Sequence, residues 1–192
     1  MRKNVIAIAL LCAAPISLAM ADTQQRAEQS RAVIQEFAQQ LQGALGKAMR
    51  EEGPVKAIEV CNQAAPAIAQ AEAQKHGWGV GRTSLKLRNP DNAPDAWERA
   101  VLQQFEQRAA QGESPQGMAH FEVVEQNGRQ VFRFMSAIGM PPMEQMPCLM
   151  CHGTEIRPDI SAKLDRLYPN DQARGYRPGM IRGAFTITQP MD

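Results

Sequence analysis

Two cysteines and a histidine lie close together in the sequence CLMCH, which runs from Cys148 to His152. In the attachment of a c-type haem, each thiol of such a CxxCH sequence adds across one vinyl group of the porphyrin. The two intervening residues set the spacing of the two bonds, and the adjoining histidine reaches the iron as its proximal axial ligand. The same cysteine spacing also occurs in redox-active dithiols and in structural zinc sites.

The surrounding sequence favours haem c over the other two chemistries. A thioredoxin-like dithiol begins a helix in a βαβ unit, whereas this pair follows the proline-containing stretch 139–147, with no βαβ pattern before it. A zinc ion would need the distant and isolated Cys61 to complete a Cys₃His set, although zinc sites usually contain a second closely spaced ligand pair. We therefore predict one haem c, bound covalently to Cys148 and Cys151 and ligated by His152, with zinc as a remote alternative.

The N-terminus has the pattern of a secretory signal peptide. A basic start precedes an apolar run over residues 5–19, and Ala19-Met20-Ala21 is a small-x-small cleavage pattern. We expect residues 1–21 to be removed by cleavage after Ala21, which leaves residues 22–192 as the mature chain in the periplasm. The mature chain keeps three of the four cysteines, an odd number for an oxidising compartment.

Cys61 is a candidate for the second axial ligand of the iron. It lies on a helix predicted between Gly53 and Gly77, on an apolar face with Ile58 and Ala65. Small side chains beside a thiol leave room for a large flat group. The alternative is a buried and inert cysteine, but the odd number of cysteines favours ligation. The other candidate ligands are His76, His120, Met140, Met143, Met146 and Met150.

Charge and hydropathy argue against several kinds of partner. The net charge is +1 and no basic stretch is concentrated, which argues against nucleic acid and anionic lipid. No segment of the mature chain is long and apolar enough to cross a bilayer. A chain of this length can bury one core. We expect a soluble exported protein with a single domain over residues 22–192.

The hydrophobic pattern predicts an α+β domain with long N-terminal helices packed on a small antiparallel sheet. Apolar residues recur every four positions from Val33 to Met49, which indicates a long amphipathic helix that precedes the Cys61 helix. The remaining predicted elements are a helix from Pro94 to Gly112, a hairpin that turns at Asn127-Gly128, a haem attachment loop, a short helix near 159–167 and a last strand from Met180 to Thr188.

Three stretches resemble a bacterial family of c-type haem-binding proteins with a PAS/Cache-like domain. They are AIEVCNQAAPAIA (57–69), GWGVGRTSLKLRNPDNAPDAWE (77–98) and CLMCHG (148–153). The stretch 175–188 also resembles the last strand of Cache-type sensor domains. The resemblance implies a haem c whose axial ligands are a histidine and a cysteine, which map onto His152 and Cys61. It also implies relatives that are free exported proteins or sensor modules ahead of signalling domains.

Three cations in the stretch 77–98 could contact the haem propionates, because guanidinium groups match carboxylates well. They are Arg82, Lys86 and Arg88. The alternative is that they pair with acidic residues of the same stretch and hold the loop in place. Those acids are Asp91, Asp95 and Glu98. Because the sequence does not orient these side chains, we favour the pairing.

The predicted ligands indicate a function in redox or gas sensing. A thiolate makes the ferric centre neutral, so that reduction places a negative charge in a low-dielectric pocket and the reduction potential is low. Reduction could also protonate and detach Cys61 and open the iron to carbon monoxide or nitric oxide. A sensor component would act through an unseen signalling or redox partner. The alternative is a low-potential periplasmic electron carrier. An enzyme is less favoured, because no carboxylate pair or Ser-His pattern appears.

Overall fold

The structure, a computed structural model, describes residues 14–142 and 147–191. The helices are α1 (Ala14–Glu51), α2 (Pro54–His76), α3 (Ala96–Ala110), α4 (Leu149–His152) and α5 (Pro158–Leu167), and Pro90–Asn92 forms a 3₁₀ turn. The strands are β1 (Gly79–Thr83), β2 (Ala119–Gln126), β3 (Arg129–Gly139) and β4 (Ile181–Pro190). They pair in one antiparallel sheet in the order β1-β4-β3-β2. The predicted α+β class, with long helices packed on a small antiparallel sheet, is confirmed.

Glycines bound the helix that carries Cys61. Gly53 precedes Pro54 with φ 82°, and Gly77 follows the last turn with φ 69°. The Gly77 N–H donates to the carbonyl oxygen of Ala73 at 2.9 Å. Glycine adopts such positive φ angles without the steric cost of a Cβ, and proline suits the first helical position because its φ is already fixed. The predicted bounds of this helix are confirmed.

A tight hairpin joins β2 and β3. Asn127 and Gly128 have φ angles of 54° and 75°, and the flanking residues Gln126 and Arg129 pair with each other. Two central residues with positive φ define the type I′ turn, whose twist matches that of the strands. The predicted hairpin is confirmed.

Strand β3, one of the two inner strands of the sheet, is covered by helices on both faces. Phe132 and Phe134 are fully buried in a cluster that includes Val33 and Ile34 of α1. Met135 is buried in a different cluster, against the apolar face of α3. This alternation follows the two-residue period of a strand. Each buried phenylalanine contributes about 1.5–3 kcal/mol of transfer free energy, so the sheet is held firmly between α1 and α3.

The start of α3 differs from the prediction by two residues. The helix begins at Ala96 and not at Pro94, because Asp95 is its N-cap. The Asp95 carboxylate accepts a hydrogen bond from the Glu98 N–H at 2.8 Å, and the Glu98 carboxylate accepts one from the Asp95 N–H at 3.1 Å. This reciprocal capping box satisfies two amide groups that the first turn leaves unpaired.

The predicted signal peptide is described only in part. Residues 1–13 lie outside the described residues, and residues 14–21 belong to α1. None of the helices in the described part of the chain combines the length and the apolar composition that a membrane crossing requires. Cleavage after Ala21 and the single domain over residues 22–192 stay predictions.

Candidate functional site

A cavity of about 670 Å³ lies between α1, α2, the β1–β4 edge of the sheet and the segment that begins at Pro147. Cys61 of α2 lines this cavity together with three residues of the CxxCH sequence: Cys148, Cys151 and His152. Cofactor sites usually have volumes of about 300–1,000 Å³. The fold therefore brings the isolated Cys61 to the same cavity as the CxxCH sequence.

The other walls of the cavity are mostly apolar. The later part of the apolar stripe of α1 faces the cavity, through Phe37, Leu41, Leu45 and Met49. Three small residues of α2 line it near Cys61, namely Ala57, Ala65 and Ala69, together with the larger Ile58 and Pro66. Apolar walls beside small residues suit a large flat group with a hydrophobic face.

His152 is fixed by a hydrogen bond to a backbone carbonyl. Its Nδ1 lies 2.8 Å from the oxygen of Ala173, and because a carbonyl can only accept, Nδ1 carries the proton. The lone pair is then on Nε2, the arrangement that metal-ligating histidines use. Burial, with the charges of Arg182 and Arg88, holds the pKa of His152 well below its usual range. The imidazole is therefore neutral and able to bind a metal.

The CxxCH sequence forms a single helical turn that a glycine ends. The N–H groups of Cys151 and His152 both donate to the carbonyl of Cys148, at 3.2 and 3.1 Å. A Cβ on Gly153 would lie 2.5 Å from the carbonyl oxygen of Leu149, so only glycine permits this path after His152. The carbonyl of His152 also accepts a hydrogen bond from the Tyr176 N–H at 2.9 Å, which ties the turn to the segment before β4.

Arg88 anchors the same turn through a buried ion pair. Its guanidinium binds both carboxylate oxygens of Asp171 at 3.1 Å, and it donates to the carbonyl oxygens of Cys151 at 2.6 Å and Ala173 at 3.1 Å. Burial alone would raise the pKa of Asp171, but Arg88 holds it below its usual value. Arg88 lines the cavity, yet its donors are largely used in positioning His152.

The expectation that Arg82, Lys86 and Arg88 pair with acidic residues of their own stretch is wrong. Asp95 and Glu98 bind Arg133, at 2.6 and 3.1 Å. Arg88 pairs with Asp171, which lies far away in the sequence, and no ion pair joins Asp91 to any cation in the described ranges. The α5–β4 connection supplies a nearer acid for Arg88, and Arg133 of β3 binds the two acids Asp95 and Glu98.

Two other arginines face the cavity without a carboxylate partner among the described residues. The guanidinium of Arg82 lies 5.8 Å from the ring centre of Phe37, and that of Arg182 lies 5.6 Å from the ring centre of Tyr176. Burial lowers the pKa of Arg182 to about 10 and also lowers that of Arg82. Cations in such places suit a ligand that carries carboxylates.

The sequence analysis did not identify Arg182 as a cation of the cavity, and it included Lys86, which does not line the cavity. Arg182 is the one cation within the otherwise apolar and neutral strand β4, which is the signal that could have identified it. Lys86 is exposed and lies outside the cavity lining, with its Nζ 3.4 Å from the carbonyl oxygen of Arg174 and 5.1 Å from the ring centre of Tyr176. The structure therefore places Arg82 and Arg88, but not Lys86, at the cavity.

Cys61 is a neutral thiol with cations around it. Burial raises its pKa, and the charges of Arg82, Arg88 and Arg182 act in the opposite direction. In the absence of a metal, a thiol in this environment stays protonated. It becomes a thiolate when a metal ion binds and adds positive charge.

The other candidate axial ligands are dispersed. Met140 lines the cavity. Met150 packs with Ile58 and Ile160 in a separate apolar cluster. The remaining candidates lie elsewhere or outside the described residues: His76 at the α1–α2 contact, His120 beside Trp97 on β2, and Met143 and Met146 in the segment that is not described.

The arrangement of the thiols does not suit zinc or a dithiol. In the described ranges, no three of the ligand atoms of Cys61, Cys148, Cys151 and His152 lie within 4.8 Å of one another, whereas tetrahedral zinc needs its ligands closer than this. All three cysteines are free thiols, and the antiparallel sheet contains no βαβ unit. The cavity between Cys61 and the CxxCH turn fits a group much larger than one ion.

Comparisons with known proteins identify the family of the chain and a solved structure that is similar to it. Residues 16–190 match the model of the Tll0287-like family, so the chain belongs to that family. Among solved structures, the crystal structure of the cyanobacterial haem protein Tll0287 is similar to this chain, with 25% sequence identity and a TM-score of 0.65. The match covers 88% of this chain and 96% of that one. The search of curated proteins finds no match.

Proposed function

We propose that this protein is an exported c-type haem protein that holds one haem in the 670 Å³ cavity. Cys148 and Cys151 form the thioether bonds, His152 is the proximal axial ligand and Cys61 is the distal one. Membership of the Tll0287-like family and the likeness to a haem protein support haem binding. The CxxCH sequence at the cavity wall supports covalent attachment, and the basic and apolar start of the chain supports export to the periplasm.

One observation carries the proposal: Cys61 and His152, which are far apart in the sequence, line one cavity. His152 presents a neutral imidazole whose Nδ1 donates to the Ala173 carbonyl, so Nε2, which lies 3.5 Å from Nη1 of Arg88, is the nitrogen that carries the lone pair for a metal. Cys61 offers a thiol that becomes a thiolate near positive charge. Histidine and cysteine are both established axial ligands of haem iron.

The burial of Cys61 has a consequence for the reduction potential. Haem supplies a one-electron iron couple and, when an axial position is open, a site for carbon monoxide or nitric oxide. A thiolate at Cys61 neutralises the oxidised centre, so an added electron leaves a net negative charge in a buried place. The potential is therefore low. Because burial raises the pKa of the Cys61 thiol, this sulfur would be the ligand that takes up a proton and leaves the metal if the haem were reduced.

Arg82 and Arg182 neutralise the two propionates in this proposal. Both cations line the cavity, and within the described part of the chain neither has a carboxylate partner. Arg88 contributes less to the propionates, since Asp171 already compensates its charge. The sequence-based expectation for Lys86 is weaker, because this residue lies outside the cavity lining.

The biological role that we infer is that of a redox or gas sensor component. The release of Cys61 on reduction is a change that a signalling partner could read, and the sequence resembles PAS/Cache-like sensor domains. A low-potential electron carrier is the second candidate. It is favoured by the partial exposure of Cys148 and Cys151, which brings the attachment side of the cavity near the surface where an electron partner could dock.

The role of Cys61 is tested by redox titration and carbon monoxide binding. Cys61→Ala should change the ferric Soret band and raise the midpoint potential by roughly 100 mV or more, whereas Met140→Leu, at the same cavity, should change neither. Reduced wild-type protein should bind carbon monoxide with a Soret shift. An unchanged ferric spectrum in Cys61→Ala would show that the Cys61 thiolate is not a ligand of the iron. A third outcome would favour the electron carrier over the sensor. In that outcome, Cys61→Ala changes the ferric Soret band, but carbon monoxide does not shift the Soret band of the reduced wild-type protein.

A further inference from the structure

A second group of ligand-type side chains lies outside the large cavity, where α1 contacts α2. Glu36 of α1 and Glu72 and His76 of α2 each offer one ligand atom, and these atoms lie within 4.8 Å of one another. Glu72 and His76 are four residues apart, so both side chains point from the same face of the helix. None of the three lines the large cavity.

Two atoms of this group are buried without a hydrogen-bond partner. The side chain of Glu72 is only 3% exposed, and its Oε2 has no hydrogen-bond partner among the described residues. The same is true of Nε2 of His76, which faces Oε2 at 3.5 Å. A buried carboxylate oxygen and a buried imidazole nitrogen that make no hydrogen bond are unfavourable, and the contacts of Oε2 with ionisable groups are those to Nε2 of His76 at 3.5 Å and to Nζ of Lys75 at 3.8 Å. A group that binds both atoms would supply the missing interactions.

The surrounding side chains hold both ligands in place. The amide of Gln40 donates to Oε1 of Glu72 at 2.7 Å, which leaves Oε2 as the free oxygen. The indole of Trp78 stacks on the His76 ring, with 5.0 Å between ring centres and 30° between planes. Hydrogen bonds and packing of this kind orient the ligands of metal sites.

We propose that Glu36, Glu72 and His76 bind a divalent first-row transition ion of the zinc type. Imidazole and carboxylate are donors that zinc accepts, at about 2.0–2.2 Å, which corresponds to a separation of about 3.3 Å between neighbouring ligand atoms of a tetrahedron. The 3.5 Å between Glu72 and His76 is close to that value. A second cavity of about 300 Å³, lined in part by Glu36 and His76, gives room for a water molecule as the fourth ligand.

Lys75 competes with the ion for the same carboxylates. Its Nζ lies 2.8 and 2.7 Å from the two oxygens of Glu36 and 3.8 Å from Oε2 of Glu72. The side chain is 51% exposed, so it can swing into solvent when an ion enters. The ammonium therefore compensates the carboxylates in the ion-free protein, and its removal should favour the ion.

The test is isothermal titration of zinc chloride into the purified, tag-free protein with its haem. Wild-type protein should bind one zinc ion saturably, and Glu72→Gln should weaken binding by at least about 10-fold. Lys75→Gln should tighten it several-fold, an effect that a purely structural ion pair does not predict. Glu28→Gln, an exposed change on α1, should bind as wild type does.

Two outcomes would overturn the metal site: no saturable binding in wild-type protein, or equal binding by Glu72→Gln with no gain in Lys75→Gln. Glu36→Gln and Lys75→Gln alter half-exposed residues, so they decide the matter if the buried Glu72→Gln fails to fold. The haem spectrum is recorded in every titration. It reports on the large cavity alone, so failure of the zinc site and failure of the proposed haem function are separately visible.

Discussion

The Nδ1 of His152 lies 2.8 Å from the carbonyl oxygen of Ala173, and the guanidinium of Arg88 donates to that same oxygen at 3.1 Å. Arg88 is in turn held by the buried carboxylate of Asp171, whose side chain is 1% exposed. One backbone carbonyl thus connects the orientation of the imidazole to a buried ion pair. Such contacts fix both the tautomer and the direction of a histidine ligand.

Removal of the negative charge at Asp171 should destabilise the protein strongly. Asp171→Asn leaves the buried Arg88 without a compensating charge, so the free energy of unfolding should fall by about 3–5 kcal/mol. Urea denaturation followed by circular dichroism measures the loss. The matched control is Asp159→Asn, because Asp159 pairs with Arg157 at an exposed position and should lose less than about 1 kcal/mol. Similar losses in the two variants would contradict the role given to the buried pair.

The contribution of Asp171 to the free energy of unfolding should decrease as the pH falls. Burial alone would raise its pKa, but the Arg88 guanidinium, the Ala173 N–H and Arg174 together hold it below the usual value of 3.8. A carboxylate with a lower pKa in the folded state stabilises the fold above its unfolded pKa, and this stabilisation is lost as the pH falls through the folded pKa. The difference in unfolding free energy between wild type and Asp171→Asn should be complete at pH 7 and shrink below about pH 4. A difference that grew in acid would refute this assignment.

The two arginines of the large cavity that have no carboxylate partner among the described residues should tune the reduction potential. Arg82→Gln and Arg182→Gln each remove a cation beside the proposed haem, which makes the added electron less favourable and should lower the midpoint by about 30–60 mV. Spectroelectrochemical titration measures the shift. Lys86→Gln is the control, because Lys86 is exposed and outside the cavity lining. A shift in the control as large as that in Arg82→Gln would show that general surface charge is responsible.

The elements that could be predicted are those encoded by neighbouring residues. Asn127-Gly128 requires positive φ angles that suit one type of hairpin, and Gly53 and Gly77 set the ends of α2 through their own backbone conformations. The CxxCH turn is equally local, because the spacing of its two cysteines and its histidine within the sequence is what indicates haem attachment.

The supporting contacts of the site could not be predicted, because they depend on tertiary structure. Asp171 reaches Arg88 and the β4 residue Arg182 reaches the cavity only once the sheet and the α5–β4 connection are in place. The sequence shows acids much nearer to Arg88, and Asp95 and Glu98 instead bind Arg133 of β3. A charge in a folded protein pairs with the partner that the backbone brings nearest, which the distance along the chain does not reveal.

The central claim, a haem bound covalently through Cys148 and Cys151, is tested most directly by the intact mass of the exported, purified protein together with its pyridine haemochrome spectrum. We predict the mass of residues 22–192 plus one haem, a c-type haemochrome, and colour that acidified acetone does not extract. In a variant with alanine at both cysteines, the added mass should disappear. A wild-type protein with the mass of the bare polypeptide and no haemochrome would contradict the account.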